Sequence, residues 1–238
     1  MRIERILANN PGPYTGPGTN TWLIGDETGR VAGSQPVGVI VTHTHPDHAP
    51  MANPLARELG VPAYGHAPGP SFEPDVVLAD DSTVDIGDAR LEVIHTPGHS
   101  DDHLCFRVGS VLFTGDHIMG GSSVMVEDMG SYLQSLRRLL GSGLTRLHPG
   151  HGEEMEDPDR VIEWYLAHRL QRHEQIYEAI RAGATSTPEI VEMVYADVDS
   201  ALHPLGARSV EAHLVLLAEQ GRIALSGDGA RMAPAEPS

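Results

Sequence analysis

Lysine is absent from the 238 residues: all 16 basic side chains are arginine, against 33 acidic ones, for a formal net charge of −17. That excess argues against tight, non-specific nucleic-acid binding, which needs a positive footprint. The missing lysine, together with many Ala, Gly and Pro, reads as the codon bias of a GC-rich genome rather than as chemistry. Cysteine occurs once, as Cys105, so no internal disulfide forms and no cysteine-rich zinc site is available. Any metal must be held by imidazole and carboxylate, and 14 histidines are present to supply the first. No apolar run approaches the roughly 18 residues of a membrane span. Met1–Asn10 lacks the continuous apolar stretch of a signal peptide, so a cytoplasmic location is expected by default.

What is present reads as strands alternating with helices up to about residue 157, an α/β pattern. Residues 9–20, NNPGPYTGPGTN, form a turn-rich loop expected at the edge of a cleft. Thr21–Gly25 is a short strand, and Val37–Thr42, VGVIVT, an apolar β-branched run that fits a strand buried on both faces. Asn53–Gly60 is a helix stopped by Gly60 and Pro62. Short strands are expected at Val61–Tyr64, Thr83–Ile86, Arg90–His95, Leu104–Val108, Ser110–Thr114 and Leu144–Leu147, with an amphipathic helix over Ser131–Leu140. After Pro158 come a long helix over Val161–Arg181, a second opened by Thr187 and Pro188, and a third over Ser209–Gln220. RIAL, SGDG and ARMA then read as strand, turn and strand. Three helices and a hairpin are the order of a winged helix, which divides the chain into 1–157 and 158–238.

The strongest chemical signal is HTHPDH, residues 43–48, directly after VGVIVT. A loop leaving a strand end turns alternate side chains to one side, so His43 and His45 can face one metal while Asp47 and His48 face a second. The donors suit zinc, and also manganese or iron. Three further strand ends carry an imidazole or carboxylate in a Gly/Pro turn: His99 in TPGH, Asp116 in FTGD and His151 in HPGHG. Asp116 alone could be a helix cap, but a carboxylate at the end of an apolar strand is costly to bury unless paired or bound to metal. His151 lies between two glycines that let the backbone approach, whereas His148, before Pro149, is expected to be supporting or structural.

HTHPDH, TPGH, FTGD and PGHG, in this order, resemble the metallo-β-lactamase superfamily. GTNTWLIG, HTPGHSDDH, FTGDHIMGGSS, VEDMGSYLQSLRRL and LAHR resemble its branch with a C-terminal winged helix, which includes a mitochondrial endoribonuclease and fungal polyketide thioesterases. The likeness covers about residues 9–225. It implies an αββα sandwich followed by a small winged helix, with His43, His45 and His99 on one metal, Asp47, His48 and His151 on another, and Asp116 bridging both. Two divalent ions sharing one water make hydroxide available near neutral pH, and Asp47 can orient that water and take or return its proton. Asp102 and His103 can support the ligands or belong to a plain loop. His117, Ser122, Ser123, His168 and Arg169 are each weighed between a place facing the cleft and an ordinary structural one.

One segment departs from that resemblance. Only DETGRVAGSQP separates Gly25 from Val37, where a strand and a crossover helix are expected, and such a connection alone needs about a dozen residues. Either this sheet closes differently or the pair is deleted. The favoured activity is hydrolysis of a thioester or activated ester, a small-molecule substrate. A metal-dependent endoribonuclease is the alternative, opposed by 7 Arg against 12 acidic residues over 158–238. A non-catalytic winged-helix binding protein would leave the ligand set without a role. β-Lactam hydrolysis is disfavoured because such enzymes are usually exported.

Overall fold

The computed structural model describes residues 2–25, 36–87, 89–120 and 123–225, and the backbone of 232–234. Two strands outside the main sheets open the chain: β1 (Arg2–Leu7) and β2 (Asn20–Gly25) form an antiparallel ribbon, Arg2 opposite Gly25. A parallel three-stranded sheet follows, ordered β3 (Val39–Ile40), β4 (Ala63–Gly65), β5 (Val76–Val77). Helix α1 (Ala52–Leu59) connects its first two strands and stops at Gly60, whose φ of 69° closes the helix in the left-handed region.

The largest sheet has six strands in the order β11-β10-β9-β8-β7-β6. Strands β6 (Thr83–Ile86), β7 (Ala89–His95), β8 (Leu104–Val108) and β9 (Val111–Gly115) run as an antiparallel meander. Strand β10 (Arg146–Pro149) joins parallel to β9 through α2 (Met129–Leu139), and β11 (Met155–Glu156) closes the edge. Asp128 caps α2 by accepting from the Ser131 amide, and the helix buries Tyr132, Leu133, Leu136 and Leu139 on one face of the sheet. On the other face Leu91, Val93, Leu104, Phe106 and Phe113 meet Ile3, Trp22 and Ile24 of the ribbon and Ile40 and Tyr64 of the three-stranded sheet. Among the described residues the second layer of the sandwich is thus two pieces laid on one continuous sheet.

That division bears on the short segment between Gly25 and Val37. Residues 26–35 lie outside the described residues, but the strands on either side, β2 and β3, belong to different sheets. Strand β3 is shorter than the expected Val37–Thr42 and half-buried, with Val37 exposed. Its only strand partner among the described residues is β4.

The C-terminal part holds α3 (Pro158–Arg181), α4 (Thr187–Val194), α5 (His203–Glu219) and the antiparallel pair β12 (Ile223–Leu225) and β13 (Met232–Pro234). The third helix starts six residues earlier than Ser209, and the SGDG turn lies outside the described residues. Packing changes partway along α3. Ile162 and Tyr165 belong to the cluster around α2, whereas Ile176, Ala179 and Ile180 pack with Ile190, Val210, Leu214 and Leu217. No helix among the described residues is long and apolar enough to cross a membrane.

Candidate metal centre

Four strand ends deliver the chemistry. HTHPDH follows β3, His99 lies four residues past the end of β7, Asp116 directly follows β9, and His151 lies two residues past β10. The fold brings all seven side chains together. His45 Nδ1 stands 2.9 Å from His99 Nε2 and 3.0 Å from His43 Nε2, and the His43 and His99 Nε2 atoms are 3.3 Å apart. Beside this triad, His48 Nε2 and His151 Nε2 are 3.2 Å apart, and each lies within 3.2 Å of Asp47 Oδ2. Asp116 reaches both groups: its Oδ2 is 3.3 Å from His151 Nε2 and 3.7 Å from His99 Nε2, and its Oδ1 is 3.4 Å from His48 Nε2.

This spacing fits divalent cations. Neutral imidazole carries one ring proton, so three ring nitrogens aimed at one another cannot all be satisfied among themselves. Donors bound at 2.0–2.1 Å in a tetrahedron lie about 3.3 Å from one another, close to the separations in the first triad. Asp116 Oδ1 is buried with no closer partner than His48 Nε2 at 3.4 Å. The atoms fall into three compact groups: His43, His45 and His99; His43, His48 and Asp116; and Asp47, His48 and His151.

The two triads differ in charge. Burial holds His43 and His99 below the ordinary histidine range, and neighbouring imidazoles add to the effect. Burial acts in the same direction on His48 and His151, but Asp116 and Asp47 outweigh it and lift them to about 9 and about 10. Burial likewise opposes charge on Asp47 and Asp116, yet hydrogen bonds with His151 and His48 hold both carboxyls well below the usual carboxylate range. His43 and His99 therefore offer neutral lone pairs, while His48 and His151 sit where positive charge is favoured. Cys105 is fully buried, and burial pushes its thiol up to about 12. It is unsuited to join either triad.

A ring of fixed groups orients these side chains. His99 Nδ1 donates to the Met125 carbonyl at 2.7 Å and His151 Nδ1 to the Gly18 carbonyl at 3.1 Å, so in both rings Nε2 is the nitrogen turned toward the cluster. The Thr42 hydroxyl lies 3.0 Å from His43 Nδ1, and the Thr19 hydroxyl donates to Asp47 Oδ2 at 3.2 Å. Asp102 accepts from the Thr44 amide at 2.8 Å and from the Ser100 hydroxyl at 2.7 Å, fixing the HTHPDH loop. His103 Nε2 accepts from the Asp116 amide at 3.1 Å. A Cβ at Gly150 would press on Asp116 Oδ1 and His48 Cε1, which explains the glycine beside His151.

The other candidates separate clearly. Asp102 and His103 hold the ligand loops. His117 is buried against the Tyr132 ring, and His148 packs between Trp22 and Phe113. His168 stacks on Trp164. Ser123 lines a cavity of about 670 Å³ with Met119, Met155 and Trp164, whereas Ser122 lies outside the described residues. Arg169 is buried and donates to the Val124 carbonyl. Sequence reasoning missed Thr19, Thr42 and the carbonyls of Gly18 and Met125. Only the turn-rich loop 9–20 gave a signal for any of them. A second cavity, about 380 Å³, opens directly on the triad, lined by His45, His99, Met125, Val126 and, from α5, Arg208, Glu211, Ala212 and Val215.

Fold and site together define a class. Residues 15–151 match the metallo-beta-lactamase superfamily and residues 186–231 the beta-lactamase associated winged helix domain. The chain belongs to the metallo-beta-lactamase superfamily and is a hydrolase of that superfamily. Among its relatives, the beta-lactamase-like protein 2 homolog of Drosophila melanogaster is 29% identical, covering 94% of this chain and 90% of the relative. That alignment runs over 263 positions, more than this chain's 238 residues, so the chain carries gaps against it. The thioesterase pkgB of Emericella nidulans is 32% identical over 77% of this chain and 60% of its own length. Solved structures share the fold: a beta-lactamase domain protein from Burkholderia ambifaria (TM-score 0.82, 21% identity, 98% of this chain and 92% of that one) and a metallo-beta-lactamase family protein from Thermus thermophilus (TM-score 0.76, 20% identity, 98% of both).

Proposed function

We propose that the chain is a dinuclear zinc hydrolase acting on a thioester or activated ester. His43, His45 and His99 hold one ion, Asp47, His48 and His151 the other, and Asp116 serves both. Bound there, divalent zinc supplies Lewis acidity and brings the pKa of water down to about 7. The protein's own residues do the rest. Asp47 is the more accessible carboxylate, its side chain 28% exposed against 9% for Asp116. It orients the attacking water and exchanges the proton with solvent, and the Thr19 hydroxyl fixes its free rotation.

The observation that carries the substrate preference is the cavity on His45 and His99. Its walls at Met125, Val126, Ala212 and Val215 are apolar, which suits an acyl group. Its charged residues are Arg208 and two glutamates, Glu127 and Glu211, a balance that disfavours a polyanionic RNA strand. The likeness to a thioesterase supports the same reading. We place the division between catalytic and winged-helix parts at 157/158, so that α5 forms one wall of the cleft from the second part.

Thioester, lactone, phosphodiester and RNA substrates, assayed with added zinc or manganese, test this proposal. Thioester turnover lost in His99→Ala is the expected result. RNA cleavage lost in His99→Ala, with no thioester turnover in the unaltered protein, would overturn it.

A further inference from the structure

Arg169 presents an energetic problem that its own helix does not solve. It is 3% exposed, and among the described residues no carboxylate pairs with it. Its Nε is buried without a hydrogen-bond partner. A guanidinium buried without a carboxylate is costly, so the groups that meet its donors matter. Nη2 donates to the Val124 carbonyl, and the guanidinium carbon lies 5.5 Å from the centre of the Tyr132 ring.

Val124 lies in a stretch, 123–128, that belongs to no helix or sheet. It is held from two sides. On one side the amides of Glu127 and Asp128 donate to the Gly98 carbonyl at 2.7 and 3.0 Å. On the other stands Arg169. Between these anchors the Met125 carbonyl accepts the Nδ1 proton of His99. A peptide fixed at Val124 fixes the next carbonyl, and that carbonyl selects the His99 tautomer and ring angle. From the same helix the Tyr165 hydroxyl makes two bonds to a different residue, donating to the Met119 carbonyl at 3.0 Å and accepting from its amide at 3.2 Å.

We infer that Arg169 is a positioning residue for the metal centre: from the helix that joins the two parts of the chain, it locks the 124–127 segment so that the Met125 carbonyl aims His99 Nε2 into the first triad. This rests on the dinuclear reading above. Groups that orient a metal-bound histidine typically change metal affinity by about 10–100-fold when removed.

The test is titration of the metal-free full-length protein with Zn²⁺ and with Co²⁺, reading affinity and the Co²⁺ absorption spectrum, for the unaltered chain, Arg169→Met, Arg169→Lys and Tyr165→Phe. Arg169→Met is expected to weaken one of two sites about 10–100-fold and change its spectrum. Arg169→Lys should recover part of the loss, and Tyr165→Phe should leave both sites as they were. Wild-type affinities and spectrum in folded Arg169→Met overturn the inference, as does an equal loss in Tyr165→Phe. Should Arg169→Met fail to fold, Arg169→Lys decides, since it keeps the charge but not the planar fork: an unchanged first site overturns the inference and a weakened one upholds it. Failure of the unaltered chain to bind any metal would instead defeat the dinuclear reading itself.

Discussion

The two layers of the sandwich solve the same problem with different resources. One is a continuous six-stranded sheet that supplies His99, Asp116 and His151 from the ends of β7, β9 and β10. The other, among the described residues, is in two pieces, and its two-residue strand β3 leads into the turn that carries His43, His45, Asp47 and His48. The larger share of the candidate ligands therefore hangs from the less extensive layer. What holds that turn in place is side chains and amides from the continuous sheet and its loops: the Leu104 amide donates to the Thr42 carbonyl at 2.7 Å, and Asp102 accepts from the Thr44 amide. A split sheet can present a precise constellation if its partner layer fixes the turn directly.

The largest expected effect tests whether the site needs both layers. Asp116→Asn, on the continuous sheet, should lower kcat about 10³-fold or more and bring bound metal from two ions per chain toward one. Asp47→Asn, on the broken layer, should lower kcat about 10²-fold while folding is unchanged. Equal metal content and rate in Asp116→Asn would break the comparison, and metal analysis with steady-state kinetics reads both. Next come the layers themselves. Leu112→Ala in β9, fully buried, should cost about 2–5 kcal/mol in denaturant unfolding, whereas Ile40→Ala in β3, half-buried, should cost about 1–2. Amide exchange should be slowest in β7–β9 and faster in β3–β5. The reverse order would mean that the split layer is the stable one.

The last effect lies outside both layers and is absent at neutral pH. His213 is fully buried, and burial first, then His173 and Arg169, lowers it to about 3. Its folded value lies below its unfolded one, so the neutral form is favoured by folding. The stability it contributes is complete above about pH 6.5 and declines as pH falls toward 3, by about 1.4 kcal/mol per pH unit for one such group. Urea unfolding of the unaltered chain and His213→Leu at pH 7 and pH 5 should show a shallower acid loss in the variant. Parallel losses would exclude His213 as the titrating group.

Much of this was legible in the sequence because glycine, proline and alternating apolar residues punctuate it densely. The β6–β9 meander and α2 follow directly from such patterns, and the four turns that end in His or Asp are each visible as short motifs. Three things were not. Strand β1, RIERIL, keeps most of its side chains at the surface and has little apolar alternation to reveal it. Strands β5 and β11 are two residues long, below any periodic signal. The orienting carbonyls of Gly18 and Met125 are main-chain atoms, which leave no mark on residue identity. Residue 37 onward looked like a strand buried on both faces because VGVIVT is uniformly apolar. In the structure β3 is only half-buried, and composition carries no information about what covers a strand.

Met125 faces two ways. Its backbone oxygen steadies His99, and the residue also lines the cavity of about 380 Å³ beside it. Any amino acid brings the same oxygen, so this position is free to trade one side group for another and retune which molecules fit, leaving the ion cradle untouched. Insertions or deletions between residues 123 and 128 have no such freedom, because they would move the oxygen itself. Diversification at this rim should therefore proceed by exchange of residues at constant loop length.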